Sequence, residues 1–222
     1  MASLAGFKEH FWQITYGGTG IWNILFFAHV DENVNYAAMH AAHKDWLIAL
    51  TAFAGAGFGN GLTYALSLWG MASKKIQARN WLFYFFFWWN VNSLGNFIDY
   101  VPSRTFGTHG DMANLAMGAH VSPWWIMIIL GYLVLWAVWY FYTKTLVRAY
   151  DVLSLKKASA RAVLLIFVTL ILFALYGMIG FDGYGPLSHF ISQLSLWIML
   201  PILVFCWPTR LWVKTALKTK FI

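Results

Sequence analysis

The sequence predicts an all-α fold: a polytopic bundle of five to six transmembrane helices, forming one domain over residues 1–222. Three observations carry this. Of the 222 residues 60% are hydrophobic and only 10% charged, whereas a soluble domain carries about a quarter charged residues. Several apolar runs reach the roughly 20 residues that a bilayer crossing needs. The basic residues also cluster between alternate runs, as the orientation of membrane helices requires.

Taken in order, the first run is 11–30, "FWQITYGGTGIWNILFFAHV". It is long enough to cross, but Gly17, Gly18 and Gly20 interrupt it, so a re-entrant or interfacial segment is its alternative. Five further spans follow at about 46–70, 81–101, 122–146, 161–181 and 189–213. No internal repeat or low-complexity linker divides them.

Charge orients these spans. Lys74, Lys75 and Arg79 fall in one connection, and Lys144, Arg148, Lys156, Lys157 and Arg161 in the next but one. Arg210, Lys214, Lys218 and Lys220 come last. With Lys8, thirteen of fifteen basic residues then share a side that the positive-inside rule makes cytoplasmic. Both termini are cytoplasmic if 11–30 crosses, and the host is a plasma or inner membrane. Membrane lipids and other membrane subunits are the expected partners. The net charge of +7 serves orientation here, so nucleic acid is not a partner. The single cysteine, Cys206, allows no internal disulfide. The start, "MASLAGFKEH", lacks the short apolar core and small-residue site of a cleaved signal peptide.

Six of seven histidines and six of eight acids map to the outer face. Positive-inside bias does not require this of histidine, which is mostly neutral at pH 7. "MHAAHKD" puts His40 and His43 three apart, on one side of a helix. "THGD" adds His109 and Asp111. Imidazole with carboxylate suits zinc, or copper or iron with different geometry. The alternative is that these histidines bond to lipid headgroups and backbone.

Asn92, Asn96 and Asp99 in "NVNSLGNFID" share one helical face. Such a stripe either lines a polar path towards Asp111 or hydrogen-bonds a neighbouring helix. In "GAGFGNG" the pairs Gly55/Gly59 and Gly57/Gly61 are spaced for close helix approach. The aromatics of "WLFYFFFWW" and "SPWWIM" can face lipid, a quinone, a pigment or another subunit. Ser103, Ser122 and Ser188 lie near histidines but lack a nucleophile elbow.

"AGAGFGN" (54–60) and "NFIDYVPSRTFGTHGD" (96–111) resemble, in order and spacing, elements of the site-2-protease-like membrane zinc metallopeptidases. The resemblance covers about 45–145 and implies that Asp111 matches that family's carboxylate ligand. The chain departs from the pattern because no H-E-x-x-H occurs, and Ala41 of "HAAH" stands where the catalytic glutamate would be. Zinc-bound water then lacks its base. The expected function is therefore a non-catalytic accessory or scaffold subunit of a larger membrane complex. One alternative is a metal-dependent membrane enzyme, a protease or an oxidative metalloenzyme, using His40, His43, His109 and Asp111. The other is a lipid-, quinone- or pigment-binding subunit.

Overall fold

A computed structural model describes residues 2–3, 5–10, 15–16, 30–31, 33–181 and 183–218. Apart from one pairing of two-residue strands, β1 (Thr15–Tyr16) and β2 (Val30–Asp31), the regular structure is helical. A short α1 (Tyr36–Ala41) precedes α2 (Asp45–Phe53), which runs through a π turn (Ala54–Gly59) into α3 (Asn60–Ala72). After α4 (Lys74–Gln77) comes α5 (Asn80–Ile98), extended by a second π turn (Asp99–Ser103). The chain continues with α6 (Asp111–Gly118), then α7 (Pro123–Tyr140), joined through Phe141–Thr145 to α8 (Leu146–Val152). Next are α9 (Ala158–Thr169) with a π turn (Leu170–Tyr176), a 3-10 turn (Ile179–Phe181), α10 (Pro186–Phe205) and α11 (Leu211–Lys218). Three helices are long and apolar enough to cross a membrane: Pro123–Val152, Ala158–Phe181 and Pro186–Phe205.

Several boundaries differ from those expected. The third helical run continues to Val152 rather than stopping near 146, since Lys144 and Arg148 can lay their aliphatic stems along the helix. The last run, expected over 189–213, is broken. Pro208 follows two residues after the cap residue Cys206, a usual position for a residue that cannot continue a helix. Arg210 Nε donates to the Val204 carbonyl at 2.8 Å and Trp212 Nε1 to that of Phe205 at 2.9 Å. These donors satisfy carbonyls that a continuing helix would have used, and α11 starts afresh beyond them.

Most of the 11–30 stretch lies outside the described residues. Its described parts show Thr15 paired with Asp31 and Tyr16 with Val30, antiparallel. Positions 16 and 30 therefore stand side by side, not a bilayer's thickness apart. Charge predicts both termini at the basic end, but residues 2–7 sit elsewhere. Ala2 and Phe7 pack with Met39, Leu47 and Ile48, and Asn35 N donates to the Phe7 carbonyl at 3.0 Å. That cluster lies at the start of α2, at the far end of the α2–α3 run from Lys74.

The core is organised by α5, whose Phe83, Phe87, Val91, Leu94 and Ile98 are buried. Along its length a polar ladder joins it to α3, antiparallel. Asn96 Nδ2 donates to Asn60 Oδ1 at 3.3 Å, Ser93 Oγ to Thr63 Oγ1 at 3.0 Å, and Asn90 Nδ2 to Ser67 Oγ at 2.8 Å. Asn92 instead accepts from the Tyr176 hydroxyl, tying α5 to the end of the α9 run. Two residues of the polar stripe thus bond α5 to neighbouring helices, and the third, Asp99, pairs with Arg104.

The glycines of "GAGFGNG" do not perform the packing expected of them within the chain. A Cβ at Gly55 or Gly61 would meet nothing within 4 Å, and one at Gly57 would strike only the Phe53 ring of its own helix. Close approach occurs elsewhere. A Cβ at Gly118 would stand 2.5 Å from the Asp45 carbonyl oxygen and 2.6 Å from Ala49 N. One at Gly180 would overlap the Ser103 carbonyl. Overpacking at such a site costs about 1–3 kcal/mol. Gly118→Ala should therefore lower the melting temperature of the detergent-solubilised protein, while Gly61→Ala leaves it unchanged or raises it. Equal losses at both would mean that the α2–α6 contact is not as close as described.

Candidate functional site

Polar chemistry concentrates at the end of the bundle remote from the basic connections, in two places. The first is built by the loop that leaves α5. Asp99 opens the π turn and is buried. Arg104 Nη2 pairs with its Oδ2, and Arg104 Nη1 donates to the Tyr184 hydroxyl at 3.3 Å. The guanidinium lies 4.3 Å from the centre of the Tyr100 ring and 5.6 Å from that of Tyr184. His109 stacks on the other partner of this arginine, its ring centre 4.6 Å from that of Tyr184. Burial works against the charge of Arg104, but Asp99 and the Tyr184 hydroxyl outweigh it and hold its pKa above the usual arginine value. Asp99 Oδ1 and Arg104 Nε remain buried without a partner.

Beneath this cluster Ser103 Oγ donates to the Gly177 carbonyl at 2.9 Å. His189 Nδ1 lies 2.7 Å from the Phe181 carbonyl, and its Nε2 lies 3.0 Å from Gln193 Nε2. A carbonyl can only accept and an amide nitrogen can only donate. Both nitrogens of the imidazole are therefore occupied within the protein.

The second place surrounds Asp45, the first residue of α2. His120 Nε2 lies 3.0 Å from its Oδ2, and His40 Nδ1 lies 3.8 Å from its Oδ1. The close approach at Gly118 presses the end of α6 onto α2 and so delivers His120 to a carboxylate 75 residues away in sequence. Nothing local in the sequence signals that pairing, although the outer-face grouping of histidines includes His120. His40 Nε2 is buried and without a partner. His43 is exposed in the α1–α2 turn, with a positive φ of 52°.

The sequence-predicted metal ligands are thus divided. His40 lies beside Asp45, His109 lies on Tyr184, and Asp111 begins α6, near enough to Asp99 and Tyr100 for its charge to act on both. Among the described residues no three His, Cys, Asp or Glu side chains form a group that could hold a metal ion. His29, Glu32 and Asp182 lie outside the described residues.

Two apolar clefts complete the description. One, of about 250 Å³, runs beside Gly57 and Gly61 and is closed by Tyr64, Tyr100, Met112 and Trp136. The other, of about 570 Å³, lies between α7 and α10, with Trp124, Tyr132, Phe173 and Ile198 among its walls. Aromatic richness was the only sequence signal for either. Comparison with protein-family models, curated proteins and solved structures yields no match for this chain.

The Asp99–Arg104 pair makes a specific prediction. Removing either partner strands a buried charge, at a cost of about 3 kcal/mol. Asp99→Asn and Arg104→Gln should each lower thermal stability strongly, and the double variant should lose clearly less than the sum. Strict additivity in that cycle would show that the two side chains do not act on each other.

Proposed function

We propose that the chain is a non-catalytic accessory or scaffold subunit of a larger plasma- or inner-membrane assembly, built on a degenerate site-2-protease-like scaffold. The observation that carries this reading is the exposure of aromatic side chains at mid-depth. Trp197 is 77% exposed, although at 1.5 Å per residue it stands roughly 12 Å or more from either end of α10. Trp136 and Tyr132 are likewise exposed midway along the Pro123–Val152 helix. Tryptophan and tyrosine facing lipid favour the headgroup level, whereas both are enriched in contacts between proteins.

In this reading the chain crosses five times. To the three apolar helices are added the runs 45–72 and 80–103. Their polar residues are tolerable in hydrocarbon because the α3–α5 ladder pairs them with each other. Residues 2–10 then lie on the outer side with the histidine clusters, and α11 on the cytoplasmic side. A cysteine introduced at Thr108 should react with an impermeant reagent from outside, and one at Lys156 only after the membrane is opened. The reverse pattern would invert the topology.

The subunit reading is tested by a photo-crosslinking amino acid at position 197 in the native membrane. A discrete protein adduct is expected, and adducts with lipid alone would overturn the reading. The two clefts favour a second reading, a site for a lipid, quinone or pigment. Stoichiometric quinone or chromophore in the mildly extracted protein would favour it. Near-stoichiometric zinc or copper, lost in Asp111→Ala, would instead select the metal-dependent enzyme.

A further inference from the structure

The helix α11 is held at the basic end as a separate element, and its two faces differ sharply. Val213 is buried in the main core, with Trp212 and Leu217 packed against it, and the helix rests on α8. The opposite face carries Leu211, Lys214, Thr215 and Lys218, all exposed, with Leu211 at 80%. Positions 211, 214 and 218 fall on one side of a helix by their three- and four-residue spacing. An exposed leucine thus stands in line with two ammonium groups.

α11 itself carries no acidic residue; Asp151, exposed on the α8 helix against which it rests, is the acid at this end and offsets part of the charge. Lys74, Lys75, Lys144, Lys156 and Lys157 are also exposed in the connections and helix ends that sequence charge groups with α11. The carboxylate ion pairs among the described residues lie at the other end of the bundle, on Asp99 and Asp45. The turn before α11 is clamped by Arg210 and Trp212 onto the last carbonyls of α10, so the lysine face has a defined position relative to the apolar helix it follows.

We propose that the exposed face of α11 is a binding surface for anionic phospholipid, with Lys214 and Lys218 on the headgroup phosphates and Leu211 in the adjoining acyl layer. Compact ammonium charges suit phosphate as point contacts. An amphipathic helix with an apolar anchor and lysines gains from both burial and charge at such a surface. Each basic residue near an anionic leaflet is worth about a fivefold change in binding. The inference uses α11 alone and does not rest on the subunit reading.

The test uses the full chain in an uncharged detergent, with bound lipid counted by native mass spectrometry against phosphatidylglycerol and phosphatidylcholine. Lys214→Gln with Lys218→Gln should weaken phosphatidylglycerol binding at least about tenfold and leave phosphatidylcholine binding unchanged. Lys214→Arg with Lys218→Arg should retain it. The pair Lys74→Gln and Lys75→Gln, on a different connection, should weaken it far less, because neither side chain belongs to the α11 face. An equal loss there would show diffuse charge attraction and overturn the proposal. So would an unchanged affinity in the α11 variant, or displacement of the lipid by millimolar inorganic phosphate. Because both lysines are exposed, the glutamine variant should melt like the parent. If it does not, the single variant Lys214→Gln, expected to weaken phosphatidylglycerol binding about fivefold, gives the reading.

Discussion

The antiparallel contact between α3 and α5 is the constraint on which the rest of the bundle depends. An amide or hydroxyl taken out of water without a partner costs a few kcal/mol, and these two helices carry Asn60, Thr63, Ser67, Asn90, Ser93 and Asn96. They tolerate one another because Asn60 meets Asn96, Thr63 meets Ser93 and Ser67 meets Asn90. Sliding either helix by one turn would leave the polar groups at the ends of the ladder without partners. Apolar packing is non-directional and carries no such penalty for a shifted partner. The ladder therefore supplies the register that the surrounding phenylalanines and leucines cannot.

What lies at the far end of α5 follows from that register. Once α5 is placed, its final turn carries Asp99 into the interior, and Arg104 must return across the turn to neutralise it. The tyrosines then take positions around the guanidinium: Tyr100 from the same turn, Tyr184 from the loop before α10. The loop 99–111 is dense in charge because it closes a helix end inside the protein. Its chemistry serves first to satisfy a buried carboxylate, and the two atoms left unpartnered, Asp99 Oδ1 and Arg104 Nε, mark where that satisfaction is incomplete.

The outward surfaces divide by depth. Bulky apolar and aromatic side chains cover α7 and α10 along their length, and only a narrow strip of α7, with Ile126, Val134 and Ala137, is buried. A helix apolar all round belongs in a membrane or against other membrane helices. At the basic end the surface becomes charged, and α11 lies where the two regimes meet. The protein thus has one exposed surface that is apolar and another that carries lysines.

Composition and charge were sufficient for the helical class and for three membrane-length helices, because solvation in lipid depends on the run of side chains and not on their partners. The same local signals failed where tertiary contacts intervened. The break after Phe205 depends on carbonyls being taken by Arg210 and Trp212. The placement of residues 2–7 depends on a hydrophobic contact with Met39 and Ile48. Glycine spacing pointed to Gly55 and Gly61, yet the close approaches are at Gly118 and Gly180, since only the arrival of a second backbone makes a missing Cβ matter. The histidines and acids were legible as a shared end of the molecule, but not as partners. His120 reaches Asp45, and His109 reaches Tyr184, through chain segments far apart in sequence. A helical period records which side chains share a face; which face they meet is settled only when the helices pack.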